Sequence, residues 1–371
     1  MTDIPATHLR LLTTASEDRI TLTLASEPVP QPGEGEVLVR MEAAPINPSD
    51  LGLLLGPADP ATLRREGEAT VADIPPQLSR AVSARLGQAL PAGNEGAGTV
   101  VAAGPGAEAL VGRTVAIAGG QMYAQYRVAR ARECLPLPEG TPAEAGASSF
   151  VNPMTALAML GTMRREGYEA LVHTAAASNL GQMLVKLCTA EGVPLVNIVR
   201  SAEQAALLRG IGATHVVNST DPEFRKQLTA AITETGAFLA FDAIGGGKLA
   251  NQILQAMEVA AQARSPGFSV YGSTQMKQVY LYGALDTSPT EITRGAGMAW
   301  GVGGWLLTPY LQRAGAEEVG PMRAKVAENL TTIFASHYTS RITLAEALEP
   351  ETVRAYARRA TGEKYLLLPN G

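Results

Sequence analysis

The stretch A-L-V-H-T-A-A-A-S-N-L-G-Q-M-L-V-K-L-C-T-A-E-G-V-P-L-V-N-I-V-R-S (170–201) decides the fold of this chain. It reads as a short apolar strand, a turn of small residues, an amphipathic helix and a second apolar strand. Residues 170–174 suit a strand buried on both faces. Leu180, Met183, Leu184, Leu187 and Cys188 recur at helical spacing, one apolar stripe for packing on a sheet. Leu195–Val199 is again apolar and β-branched. A parallel β-α-β unit with a tight first turn seats a dinucleotide pyrophosphate at the helix N-terminus, where backbone N–H groups and the helix dipole favour an anion.

The glycine fingerprint of such turns is reduced here to Gly181, with Ala175, Ala176, Ala177, Ser178 and Asn179 at the other tight positions. Asn tolerates left-handed backbone and Ala still allows close approach, so the turn can form. Arg200 stands 19 residues after Gly181, close to the offset at which the adenosine ribose is read. NAD-preferring folds carry an acid there, whereas an arginine accepts a 2′-phosphate through charge-assisted, bidentate bonds. Ser201 adds a hydroxyl beside it. These residues predict NADPH, bound by Ala177, Ser178, Asn179, Leu180, Gly181, Arg200 and Ser201. The other reading of the unit is an ordinary crossover with no ligand.

At 371 residues, 46% hydrophobic and 18% charged, the chain is expected to hold two domains with a large core and no extensive disorder. A net charge of −5 argues against nucleic acid or an anionic membrane as the main partner. Cys134 and Cys188 have no zinc-ligand spacing, and Cys188 falls on the apolar helix face as a small hydrophobe. The N-terminus lacks a basic segment followed by an apolar stretch, and no apolar run reaches about 18 residues. A cytoplasmic, soluble protein is the expectation.

Up to about Asn152 the pattern is of short strands separated by Gly and Pro, clearest at 37–42, 99–102, Thr114–Ala118 and 123–128. Residues 56–92, with Leu78, Val82 and Leu86 at helical spacing, read as a surface helical excursion or a lid over a cleft. From Thr155 to Tyr282 helix and strand alternate. Strands are expected at 170–174, Leu195–Val199, 215–217, 238–242, 268–271 and 279–282, and helices at 204–209, 223–235 and 248–263. That rhythm describes a doubly wound parallel sheet. Residues 279–283 (V-Y-L-Y-G) are expected at the sheet edge, where a soluble protein needs cover, and so in a homodimer interface. A short strand at Tyr365–Leu368 closes the chain.

Seven further segments, in this order and spacing, carry a resemblance. They are G-E-G-E-V-L-V-R-M-E-A-A-P-I-N-P-S-D-L (33–51), G-N-E-G-A-G-T-V-V-A-A-G (93–104), M-Y-A-Q-Y-R-V (122–128), L-P-L-P-E-G (135–140), V-N-P-M-T-A-L-A-M-L (151–160), F-D-A-I-G-G (241–246) and T-G-E-K-Y-L-L-L-P (361–369). With the β-α-β unit, they make the chain resemble the medium-chain dehydrogenase/reductase superfamily over nearly its full length. The resemblance implies an α/β chain with a GroES-like β-rich catalytic domain (1–152 and 338–371) and an inserted Rossmann NADPH-binding domain (153–337). It places the active site in the cleft between them. Zinc-dependent relatives carry Cys at the position of Asn47, His at that of Asn94 and a third ligand near Val151. These residues offer no thiolate or imidazole, so the chain resembles the zinc-free branch of quinone oxidoreductases and 2-enoyl-thioester reductases. The thioester reductases carry a catalytic tyrosine after N-P-x-D, and here that loop reads L-G-L-L-L-G-P (51–57).

The implied chemistry is hydride transfer to a quinone or an α,β-unsaturated carbonyl. The negative charge that develops on the carbonyl oxygen is met by preorganised donors in place of a metal. By resemblance Asn47, Ser49, Asn94, Tyr123 and Thr155 face the nicotinamide, with Ser49 the preferred proton relay and Tyr123 a donor to the oxyanion. Ile244, Gly245 and Tyr271 join the cofactor residues, and Asp242 is expected as a strand-end structural residue. Plainer roles stand beside these: Asn47 as a turn former, Ser49 and Asp50 as caps of the next helical turn, Tyr123 as a packing aromatic. His8, His173, His215 and His337 match no motif and read as structural. Two other functions fit the same residues, a 2-enoyl-thioester reductase and an NADPH-binding redox sensor without turnover.

Overall fold

The computed structural model describes residues 4–264, 269–358 and 362–371. Its chain divides into two compact units, Met1–Val151 with Arg323–Gly371, and Asn152–Met322. The return to the first unit comes at Arg323, inside the helix Leu307–Glu328, where 338 is expected.

The first unit opens with a hairpin that the sequence reading left out, β1 (Thr7–Ala15) and β2 (Arg19–Pro28), then β3 (Glu36–Ile46) and the single turn α1 (Leu51–Leu54). Residues 56–92 are helical only in part, in 3-10 form. They form β4 (Arg64–Glu66), β5 (Ala69–Asp73), a 3-10 stretch at Pro76–Arg85 and β6 (Ala89–Pro91), which join the hairpin in a sheet ordered β4-β5-β2-β1-β6. The apolar spacing at Leu78, Val82 and Leu86 buries only Val82. Next come β7 (Glu95–Ala103), β8 (Thr114–Ala118), β9 (Tyr126–Arg130), β10 (Leu135–Pro136) and α2 (Ala143–Gly146). The strand expected at 123–128 starts three residues later, so Tyr123 precedes it.

The second unit runs through α3 (Val151–Arg165), β11 (Leu171–His173), α4 (Asn179–Glu191), β12 (Leu195–Val199), α5 (Ala202–Gly210), β13 (His215–Asn218), α6 (Phe224–Thr235), β14 (Leu239–Asp242), β15 (Gly245–Gly247) and α7 (Leu249–Arg264). It closes with β16 (Lys277–Leu281), β17 (Asp286–Thr290), β18 (Trp300–Gly304) and α8 (Leu307–Glu328), the last broken at Gly315 (φ 68°). A parallel sheet has the order β13-β12-β11-β14-β16-β18. The sixth strand is therefore β18 and not 268–271: Phe268 lies outside the described residues, and Val270 and Tyr271 form a turn. Residues 279–283 are not the edge either, because β18 pairs along β16 on that side. α4 forms as its sequence dictates. Ser178 caps it by accepting the Gly181 N–H at 3.1 Å, Gly192 ends it in left-handed backbone (φ 67°), and all five stripe residues are buried.

The tail adds β19 (Ser340–Thr343), α9 (Pro350–Ala357) and β20 (Tyr365–Leu368) to the first unit, giving a sheet β10-β8-β7-β3-β20-β19 with β9 also on β3. No helix among the described residues is long and apolar enough to cross a membrane.

Within the second unit the Lys277 ammonium, fully buried, lies 2.5 Å from Glu258 Oε2 of α7 and also donates to Ser273 Oγ and the Gln275 carbonyl. Glu258 in turn accepts from the Ser273 N–H and Gln262. Removing one partner of such a pair strands the other charge without water, whereas replacing both is close to neutral. Lys277→Met should lower the unfolding free energy by about 3–5 kcal/mol, and adding Glu258→Leu should restore most of it. Urea unfolding of the single and double variants measures both, and additive losses would contradict this reading.

Candidate active site

In the first unit three segments and the tail meet at a buried polar cluster. β3 ends at Ile46, and Asn47 follows at 2% exposure, its Nδ2 donating to Glu95 Oε1 at 2.8 Å. Glu95, which opens β7, is fully buried and accepts the backbone N–H groups of Phe150 (2.8 Å) and Val151 (2.9 Å) at Oε2. Lys364, just before β20, donates to Ser148 Oγ at 2.8 Å, and Ser148 Oγ pairs with the Tyr338 hydroxyl at 2.9 Å. Burial pushes the Glu95 carboxyl up against the opposing pull of Lys364, and it lowers Lys364 to about 8 against the pull of Glu95 and Asp50. Sequence reading missed Glu95, Lys364 and Ser148. The visible signal was a lone charge among small residues in G-N-E-G-A-G, and a lysine set directly before an apolar strand in T-G-E-K-Y-L-L-L.

Asp50 does not cap the helical turn after it. Its carboxylate bridges two loops, accepting the Asn47 N–H at Oδ2 and the Asn94 N–H at Oδ1, both at 2.8 Å. Burial raises this carboxyl to about 7. Held this way, Asn94 turns its Nδ2 to Ser49 Oγ at 3.1 Å, and Ser49 is exposed. The structure thus brings Ser49 and Asn94 together near solvent, with Asn47 beneath them. Tyr123 is placed differently from the oxyanion role: it is 1% exposed within the apolar core, and its hydroxyl donates to the Pro45 carbonyl at 3.0 Å. Gly93 is required beside it, since an added Cβ would meet the Tyr123 ring at 2.6 Å.

In the second unit the turn before α4 has Ala175 in left-handed backbone (φ 48°), and Ala176 and Ala177 are buried. A Cβ on Gly181 would lie 2.1 Å from the Ala176 carbonyl oxygen, so this one glycine lets the helix start close against the turn. Asn179 and Leu180 follow in the first helical turn. Arg200 ends β12, exposed, its guanidinium without an ion-pair or hydrogen-bond partner among the described residues. Ser201 instead caps α5, accepting the Gln204 N–H at 3.3 Å, so its oxygen is already engaged. Asp242 is buried and structural: it accepts from Thr174 Oγ1 (2.6 Å) and from the N–H groups of Ile244 (2.9 Å) and Gly245 (3.2 Å). Those bonds, with β15 paired to β17, hold Ile244 and Gly245 at the C-terminal end of the sheet, the end of the α4 turn and Arg200. Thr155 is buried in α3. Tyr271 does not join this group. It is an exposed turn residue ahead of β16, and residues preceding a parallel strand lie at the opposite, N-terminal end of the sheet.

Comparison with known proteins bears on both units. Residues 33–139 match the alcohol dehydrogenase GroES-like domain, and residues 180–288 match the family described as zinc-binding dehydrogenase. The chain is 30% identical over 248 residues to the mitochondrial enoyl-[acyl-carrier-protein] reductase of Caenorhabditis elegans, an alignment covering 64% of each protein. It is 29% identical over 226 residues to prostaglandin reductase-3 of Bos taurus, covering 59% of this chain and 52% of that protein. The chain thus spans under two thirds of these curated relatives. A solved structure of a candidate NADPH:quinone reductase from Mesorhizobium loti matches at 29% identity with a TM-score of 0.75, over 99% of this chain and 100% of that one.

The Asp50 bridge makes stability depend on pH. Its carboxyl titrates near 7 in the fold and near an ordinary carboxylate value of about 4 unfolded. A raised group contributes stability that is fully present below the unfolded value and is lost as pH rises through the folded one. Wild type should therefore lose stability relative to the isosteric, non-titrating Asp50→Asn between about pH 4 and about pH 7. Urea unfolding of both proteins across that window is the measurement, and a difference independent of pH would refute it.

Proposed function

We propose that this chain, which belongs to the medium-chain dehydrogenase/reductase superfamily, is an NADPH-dependent, zinc-independent reductase of quinones or α,β-unsaturated carbonyls. The observation that carries the reading is the pairing of the tight Ala175–Gly181 approach with an unpartnered Arg200 at the same end of the sheet. A pyrophosphate fits the N–H groups opening α4, and a 2′-phosphate fits the Arg200 guanidinium. The Mesorhizobium likeness supports the same cofactor.

When bound, NADPH supplies the hydride for the β-carbon of the acceptor. The protein's part is to stabilise the negative charge on the acceptor oxygen and to deliver a proton. Ser49 is suited to this because its oxygen accepts from Asn94, leaving its own proton free to donate. Asn47 and Asn94 are held by Glu95 and Asp50, which favours positioning as their role, and the oxyanion role of Tyr123 is disfavoured because its hydroxyl is buried against the Pro45 carbonyl and the Asp50 carboxyl. Independence from zinc rests on residue type: Asn47, Asn94 and Val151 are not zinc ligands, and all three lie outside the matched 180–288 segment.

The names of the enoyl reductase relatives favour a second reading, reduction of a 2-enoyl thioester, against which stands the loop 51–57 with no tyrosine. A panel of a small quinone, an enone and a crotonyl thioester with NADPH separates the two. Binding of NADPH without turnover on any of them would favour a redox sensor. A cytoplasmic homodimer belongs to the same proposal, now through β18, which ends the sheet among the described residues beside exposed Met298 and Leu306. A monomeric mass at micromolar concentration would refute the dimer.

Arg200 gives the sharpest test of the cofactor. Losing a charge-assisted phosphate contact costs about 1.5–3 kcal/mol, roughly ten- to a hundredfold in affinity. Arg200→Ala should weaken NADPH binding by that factor and leave NADH binding almost unchanged, and Arg200→Asp should reverse the preference. Dissociation constants for both cofactors measure this. Equal loss for both, or none for either, would remove the basis for NADPH.

A further inference from the structure

His173 and Asn197 are cross-strand neighbours on β11 and β12, so their side chains share one face of the sheet. Both are fully or almost fully buried, at 0% and 1% exposure, and each has one polar atom without a partner, Nδ1 of His173 and Oδ1 of Asn197. The orientations are complementary. Asn197 Nδ2 donates to the carbonyls of Leu195 and His215, the latter on β13, which turns Oδ1 back toward β11. His173 Nε2 meets the Tyr282 hydroxyl at 2.7 Å, away on the β16 side, which turns Nδ1 toward β12. A buried acceptor and a buried ring nitrogen, each without a partner on paired strands, suit one bridging water. Asn197 also lines a pocket of about 270 Å³ at the end of α4.

The direction of this chain follows from chemistry. Burial holds the His173 imidazole neutral, its pKa lowered to about 3, so only one ring nitrogen carries a proton. A contact of 2.7 Å is typical of a hydroxyl donor and short for a ring N–H donor, for which about 2.9–3.0 Å is usual. Tyr282 therefore donates to Nε2, and the ring proton stands on Nδ1, the nitrogen left without a partner. With its proton committed to His173, the Tyr282 oxygen has only lone pairs left for any further partner. Tyr282 follows β16, bonded through its N–H to the Asp242 carbonyl, and Gly283 presses on Ala243 beside Ile244 and Gly245.

We propose that Asn197, through one buried water, and His173 are positioning residues that fix the Tyr282 oxygen as an acceptor for the carboxamide N–H of a bound nicotinamide. This rests on the NADPH reading above. The test pairs two measurements on the full chain. Nitrogen-15 NMR of the protein without cofactor, with His173 assigned through His173→Gln, should show protonated Nδ1 and unprotonated Nε2, and Asn197→Leu should shift the ring toward the other tautomer. Dissociation constants should show NADPH favoured about two- to tenfold over its 3-acetylpyridine analogue, which lacks the amide N–H. Tyr282→Phe should abolish that preference while leaving analogue binding unchanged. An Nε2-protonated ring in wild type, or a preference that survives Tyr282→Phe while NADPH still binds, overturns the inference alone. Failure of wild type to bind either cofactor overturns the NADPH reading and the Tyr282 role with it.

Discussion

A carboxylate withdrawn from water is stable only if hydrogen bonds or an opposite charge replace its solvent. Glu95 meets that requirement with groups from three other places in the chain: the Asn47 amide, the peptide N–H groups of Phe150 and Val151, and the nearby Lys364 ammonium. Lys364 is anchored in turn by Ser148, which touches Tyr338. None of these segments can shift without leaving a buried polar group unpaired. The first unit is thus stitched together from residues over 250 positions apart, Glu95 and Lys364 among them. Ser49 and Asn94 sit on top of that stitching, through Asp50, and take their rigidity from it.

The second unit solves the same problem differently at its cofactor end. Asp242 is satisfied by one hydroxyl and two backbone N–H groups, with no cation, and so shapes the Ile244–Gly245 turn. The Lys277–Glu258 pair lies toward the N-terminal end of β16 and holds the loop from Ser273 there. Its charges are mutually paired and leave no net charge to compete with a phosphate.

Under the proposed reductase function, this division of labour has a physical sense. Buried charges fix backbone and orient amides, while the groups left with free valence, the Ser49 hydroxyl proton and the Arg200 guanidinium, are the exposed ones. Catalytic groups that must meet a changing charge are best held by neighbours that do not reorganise.

Local chemistry made much of the second unit legible in the sequence. The apolar period of 3.6 marked the buried face of α4, Ser178 and Gly192 marked its ends, and the apolar runs of β11, β12 and β14 marked strands buried on both faces. The close approach at Gly181 and the position of Arg200 depend on the same contiguous unit, so they too could be read there. What only the tertiary structure decided is whatever depends on partners distant in the chain. Strand order made β18 the sheet end in place of 279–283, and it left Tyr271 at the wrong end of the sheet for a cofactor. Pairing within the sheet of β1 and β2 made strands of Arg64–Glu66, Ala69–Asp73 and Ala89–Pro91, on either side of a 3-10 stretch at Pro76–Arg85. Tyr123 reads as a candidate donor until the fold encloses it and turns its hydroxyl to the Pro45 carbonyl. Periodicity records which face of an element is apolar; it carries no information on which buried polar group will answer which other, and that choice built the candidate site.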